Sequence, residues 1–397
     1  MLVAASAVVL ALAPPVQARR TISLRFPKFE VPARSDREVC TFVALPTDKP
    51  FDIEAARIVN VGLKSNFTTH HFLLWVYKGS DLASFPGPGQ IVDGTACLDF
   101  GPADTNQRTL IAGSQSPKLT TTRLRGVAQR ITPTVDGSGK SQIGLILNSH
   151  WINGSDRPQT ASVKIKLMAP KRHTVRQYLL PLFDVIANGF IRVPPHQVKT
   201  EAWIWKPGGL DLSVGLGGGV VPTDPACVVG ITSHMHKRGT LFTVDLMDGN
   251  NQPTKRLLET TSYSDPPQVD FVPTPMLITA QQGLKYTCTH DNGVSTPVKL
   301  GCEEKPGVPP GVDAATAFLS GDLSQGAAKR CSAVGPAPTE CPPTDPKYPR
   351  RTFTGNCVEA NLVFGFTSDD DMCILPGAFY PANAQGNCDL TGLPILN

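Results

Sequence analysis

Charge is scarce in this chain. Asp, Glu, Lys and Arg make up 18% of its 397 residues, and the net charge is +4. The basic pairs Lys171-Arg172 and Arg350-Arg351 stand alone, so there is no cationic stripe of the kind that tracks a phosphate backbone, and no nucleic-acid partner is expected. Heptads, internal repeats and amphipathic stripes are missing too, which argues against coiled coils and solenoids. No C-x-x-C and no H-E-x-x-H occurs, so neither a zinc ribbon nor the usual zinc-hydrolase helix is expected. After residue 18 no apolar run approaches the roughly 20 residues that a membrane-spanning helix needs, and stable membrane insertion is not expected.

Glycine and proline are plentiful, at 35 and 37 residues. That composition predicts many short strands joined by turns and few long helices. The segments SVKIKLM and LFTVDLMD alternate apolar and polar residues, as half-buried antiparallel strands do. An all-β fold of stacked antiparallel sheets is expected, with weak helical periodicity only around Asp313 to Leu323. The length favours two cores over one. Residues 1–18, MLVAASAVVLALAPPVQA, read as a signal peptide cleaved after Ala18, although the usual basic start is absent. Ten cysteines, an even number, agree with a secreted or periplasmic protein held by disulfides.

The chain's metal-binding side chains are few and clustered: His70-His71 in TTHHFLLW, His150 in LNSHW, His234 and His236 in TSHMHKRG, and Met372 in SDDDMC. They suffice for two sites of three ligands. Imidazole suits zinc, copper and iron alike, whereas a thioether is a soft donor that selects copper, Cu(I) above all. Residues i and i+2 of a strand share a face, so a strand carrying His234 and His236 would grip one ion with Met235 turned away. Adjacent His70 and His71 cannot share an ion from a regular strand; an irregular backbone, or the use of different ring nitrogens, is required. His173, His196 and His290 lie in linker, turn and strand-end contexts and read as solvated or structural.

In their order, CTFVALP, THHFLLW, IGLILNSHWIN, HMH and then DMC, these motifs resemble the copper type II, ascorbate-dependent monooxygenases, the family of dopamine β-monooxygenase and peptidylglycine hydroxylase. The resemblance runs from about Cys40 to Cys388. It implies two β-sandwich domains whose coppers face each other across a solvent-filled cleft. His70, His71 and His150 would hold the electron-transfer copper, and His234, His236 and Met372 the catalytic copper. The implied reaction is hydroxylation of a C–H bond of a small-molecule substrate, with dioxygen as cosubstrate and ascorbate as electron donor. The implied disulfides are Cys40–Cys97, Cys227–Cys388 and Cys288–Cys373, the last fixing Met372. The pairing of Cys302, Cys331, Cys341 and Cys357 stays open.

The domains are then a first sandwich over 21–168, a linker over 169–176 and a second sandwich over 177–397. Two departures from the family matter. A Pro/Gly/Cys-rich insertion at about 298–356 takes the place of a short hairpin, long enough to serve as a lid over the cleft. Peptide-amidating members carry an arginine two positions before the HxH pair and a tyrosine four after the methionine; here these are Thr232 and Pro376. Peptide amidation is therefore disfavoured and a small aromatic amine favoured, with Tyr380 as a further candidate contact, though packing is its commoner role. A non-catalytic copper carrier and a β-sandwich interaction module are the readings from other classes. The sequons at Asn66 and Asn153 flank the proposed ligands, and would be used only in a eukaryotic secretory pathway.

Overall fold

The computed structural model describes residues 20–93, 97, 107–121, 124–171, 174–208, 225–301, 338–341, 351–354, 358–365 and 370–396. The signal-peptide segment, the Asp313–Leu323 stretch, His173 and most of the insertion lie outside these, as do the side chains of Cys302, Cys331, Cys341 and Cys357. Among the described residues the fold is all-β. The turns Leu82–Ser84 and Ile186–Phe190 are single 3₁₀ turns, and no described helix is long and apolar enough to cross a membrane.

The first half stacks two antiparallel sheets. One orders the strands Thr21–Val31, Gln159–Met168, Ala55–Val61 and Lys118–Thr120. The other is built on Ser35–Pro46, Ser141–Asn153, Phe67–Tyr77 and Arg108–Ser114. The expected alternation drives the stacking: Val163, Ile165 and Leu167 are buried while Lys164 and Lys166 face water. Their core contains Phe26, Phe72, Leu145, Leu147 and Trp151.

The second half repeats the architecture. Gln197–Trp205, Gly283–Asn292, Gly239–Met247 and Pro253–Thr260 form one sheet, and Leu180–Asp184, Leu375–Pro381 and Ala226–Ile231 with short partners form the other. Phe242, Val244, Leu284 and Tyr286 from the first sheet pack against Leu182, Val228, Leu375 and Phe379 from the second.

The halves are in contact. Gln177–Tyr178 runs parallel to Val127–Ala128 of the first half, Trp75 meets Phe183 edge to face at 5.9 Å, and Val127 shares an apolar cluster with Leu179, Cys227 and Tyr380. Disulfides join Cys40 to Cys97, Cys227 to Cys388 and Cys288 to Cys373, the pairs that the resemblance implied. The last links the centre of one second-half sheet to the segment that carries Met372.

Candidate metal centre

The first histidine set grows out of one continuous ladder. His150 sits in the Ser141–Asn153 strand directly opposite His71 on Phe67–Tyr77. One step on, Trp151 pairs with Thr69, so His70 is an extra residue with no partner in that ladder. It is a β-bulge, and a bulge re-aims the side chain it carries. The irregular backbone that adjacent histidines require is therefore present, and His70, His71 and His150 place three donor atoms within 4.8 Å of one another.

The second set departs from expectation. The strand ends at Ile231, before the HMH segment, and His234 forms only an isolated antiparallel bridge with Ile374. The chain there is still extended enough to alternate: Met235 is buried in the second core, with its thioether against Gly239, and His234 and His236 point the other way to join His70 in a second group of three donors. Continuing the His234–Ile374 register by two residues sets Met372 opposite His236. Past this bridge Asp371 captures the backbone. Its Oδ1 accepts the amide N–H of His236 at 2.9 Å and of Met372 at 2.8 Å.

The two sets meet. His70 lies 5.0 Å from His234 and 4.7 Å from His236 between ring centroids, and His71 lies 5.8 Å from His234. The resemblance implied ligands separated by solvent; the five rings instead form one buried cluster. A cleft does run between the halves, a cavity of about 310 Å³ with His71, His234 and Met372 in its wall.

Several ligand-orienting residues carry no sequence motif and were not anticipated. Gln115, from the first half, accepts from Nδ1 of His234 at 2.6 Å and donates to the carbonyl of Ser233 at 2.8 Å. Asp36 faces Nε2 of His150 at 3.3 Å, Glu38 lies 3.9 Å from Nε2 of His71, and Nδ1 of His236 donates to the carbonyl of Asp370 at 3.1 Å. Such partners hold a ring in one tautomer and leave its other nitrogen as a lone-pair donor. Their only sequence signal is that each lies near a histidine or its pairing partner, which many polar residues do.

His290 proves structural. It is fully buried, 3.2 Å from Glu201 and 3.4 Å from Asp371. Burial alone would lower its pKa, but the two carboxylates outweigh burial and push it up to about 10. Asp371 in turn stays below its usual range, because the charge of His290 and the bonds from His290 and His236 outweigh burial. His196 is exposed, in a left-handed turn at φ 59°, and bonds Glu359 at 2.9 Å.

Four of the five clustered histidines are held neutral by their surroundings. Burial first, then the neighbouring imidazoles, hold His70 and His71 well below the ordinary value, and the same causes bring His234 to about 3. His236 is also lowered, chiefly by burial. His150 goes the other way, since Asp36 and Glu38 outweigh its burial. Among the described residues, both ring nitrogens of His70, Nδ1 of His71, Nδ1 of His150 and Nε2 of His236 are buried with no protein hydrogen-bond partner. An unpaired buried polar atom costs about 1–3 kcal/mol, and five on adjacent rings would be a costly arrangement for packing alone. Neutral imidazoles with free lone pairs, grouped in threes, could hold a metal ion.

Around the cavity the walls are mostly apolar, with Trp75, Leu110, Leu179, Phe183, Val229 and Ala378. Thr232 and Pro376 both face it. Tyr380 does not: it is buried, and its hydroxyl donates to the carbonyl of Cys388 at 2.8 Å. Of the two sequons, Asn153 is buried, with its amide donating to the carbonyls of Val31, Pro32 and Arg157. Asn66 is exposed.

The chain matches no protein-family model and no curated protein. Among solved structures it is similar to the major capsid protein P2 of bacteriophage PM2, at 9% identity and TM-score 0.25 over 68% of this chain and 97% of that one. It is similar also to broad bean stain virus, at 10% identity and TM-score 0.23 over 69% and 85%. Likenesses this slight carry no argument about function.

Proposed function

We propose that this protein is a secreted copper-dependent monooxygenase, hydroxylating a C–H bond of a small, largely apolar organic molecule with dioxygen as cosubstrate and ascorbate as reductant. The observation that carries the reading is the set of buried imidazole nitrogens from both halves without a protein partner; Met372, in the wall of the same cavity as His234, offers a soft sulfur that favours copper. The order of motifs, which resembles the copper type II monooxygenases, supports it independently.

His70, His71 and His150 would hold one ion; His234, His236 and Met372 would hold the other. Bound copper supplies one-electron redox chemistry and activation of dioxygen. The chain's own residues do the rest. Asp36, Gln115 and the Asp370 carbonyl fix the tautomers of His150, His234 and His236, so each ring presents a lone pair without rearranging. Asp371 anchors the backbone of His236 and Met372. The mostly apolar cavity walls would bring such a substrate against His234 and Met372. Thr232 and Pro376 in the wall stand where peptide-amidating members carry the arginine and tyrosine that hold a peptide carboxylate, which favours a substrate of another kind, such as an aromatic amine. Cross-linking by three disulfides supports an oxidising compartment.

The test is metal analysis of the purified chain after copper loading, followed by oxygen uptake with ascorbate and a panel of aromatic amines. Two coppers per chain and substrate-dependent oxygen consumption are expected. Bound zinc, or copper without ascorbate-dependent turnover, would overturn the reading and favour a metal carrier.

A further inference from the structure

His70 belongs to both groups of donors, with His71 and His150 on one side and His234 and His236 on the other. A ring held as a ligand to one ion should have its second nitrogen engaged by a carboxylate, carbonyl or water. That is the pattern at His150, His234 and His236. His70 breaks it. Neither of its ring nitrogens has a protein hydrogen-bond partner, and the residue is 1% exposed. Its ring stands between the other four, with centroids 5.2 Å from His71, 5.2 Å from His150, 5.0 Å from His234 and 4.7 Å from His236. The bulge explains the placement. As the unpaired residue between Thr69 and His71, His70 is turned out of the ladder toward the second half.

From this we infer that His70 is a bridging ligand: one ring nitrogen completes the His71–His150 site, the other binds the ion held by His234 and His236, and the two sites form a single dinuclear centre when the halves are in contact. The inference rests on the copper reading above. Its chemistry balances without a co-reactant. A neutral imidazole carries one N–H, and filling both nitrogens with metal sends that proton to solvent, leaving an imidazolate between the ions. The geometry needs only small adjustment. Two nitrogens at about 2.0–2.1 Å from one ion stand at most about 4.2 Å apart, against donor atoms within 4.8 Å here, a gap that small side-chain rotations close. Bridging also gives the unpartnered nitrogens of His70 a role that packing does not.

A shared imidazolate couples the spins of two Cu(II) ions, whereas separate sites leave them independent. The experiment is a Cu(II) titration of the full native chain, followed by EPR spin integration alongside copper analysis. If His70 bridges, the signal rises with the first equivalent and falls with the second, ending well short of the copper bound. A signal that rises in proportion through both equivalents overturns the bridge. If that sample still consumes oxygen with ascorbate and substrate, the monooxygenase reading survives the loss of the bridge. Fewer than two coppers per chain overturns both. In His70→Ala, at matched copper content, the integrated spin should recover to equal the copper count, and circular dichroism of the sheets reports whether the variant has folded. The native titration decides the matter even where that variant does not fold.

Discussion

The two histidine sets reach similar chemistry by different construction. The first is printed on a sheet: His71 and His150 are ladder partners, and a one-residue bulge turns His70 inward. Its geometry is fixed by the same backbone hydrogen bonds that hold the sandwich. The second set sits beyond the end of its strand, where one bridge between His234 and Ile374 replaces a ladder. Side chains do the positioning there: Asp371 gathers two amides, His290 and Glu201 stabilise Asp371, the Cys288–Cys373 disulfide pins the residue after Met372, and Gln115 reaches over from the other half. A ladder-borne site has many redundant supports. A network-borne site depends on a few buried polar groups and is correspondingly easier to break, and easier to move.

That contrast can be broken most severely at Asp371. Asp371→Ala leaves His290 charged and half-paired in the core and releases the His236 and Met372 amides. Breaking a buried ion pair from one side costs about 3–5 kcal/mol. Chemical denaturation should show a loss of that order, with the second copper gone and the first retained. Equal loss of both coppers would mean that the first set also depends on this network.

Next in size is the disulfide. Cys288→Ser with Cys373→Ser should lower stability by about 2–5 kcal/mol, seen as a shifted denaturation midpoint. It should weaken copper at the Met372 set before the His71–His150 set. A copper affinity unchanged at both would show that Asp371 alone suffices to place Met372.

A milder change sharpens the comparison across the halves. Gln115→Ala removes the acceptor that fixes the His234 tautomer, and loss of such a partner typically costs about 10–100-fold in metal affinity. Competition titration should register that loss at the second set only. Because Gln115 is the first half's hand on the second, its removal also tests whether the halves need this contact to stay together.

The smallest effect lies far from either set. Asp136 caps a first-half turn, accepting from the Ser138 amide and hydroxyl, the Lys140 amide and Gln142. The Ser138 hydroxyl and then the Lys140 amide lower its pKa from 3.8 to about 2. A carboxylate whose folded pKa is depressed contributes stability that is present above its unfolded value and lost as pH falls through the folded one. Acid denaturation of the native chain should therefore steepen as pH drops from 3.8 toward about 2, and Asp136→Asn should flatten that part of the curve. Copper binding at neutral pH should not change.

How far the sequence could be read follows the same division. His150 was legible because it closes a short apolar run, IGLIL, of the kind that marks a buried strand locally. The need for an irregular backbone at His70-His71 was legible from strand alternation, as was the opposed facing of Met235. The strand's end at Ile231 was not, because nothing local marks it: CVVGITSHMH alternates well enough to continue. Past that end Thr232 and His234 still bond Pro376 and Ile374 through the backbone, and it is Asp371, 135 positions away, that takes the His236 amide.

Local chemistry in the chain thus determined the all-β class, the stacked sheets and the candidate donor side chains, since alternation, turn composition and side-chain chemistry are properties of short segments. Tertiary structure decided the rest. It placed Gln115 on His234, Asp36 on His150 and buried His290 between two carboxylates, because those contacts join residues more than 80 positions apart. It also closed the two histidine sets around His70, a meeting of surfaces from two separately packed cores that no single stretch of sequence encodes.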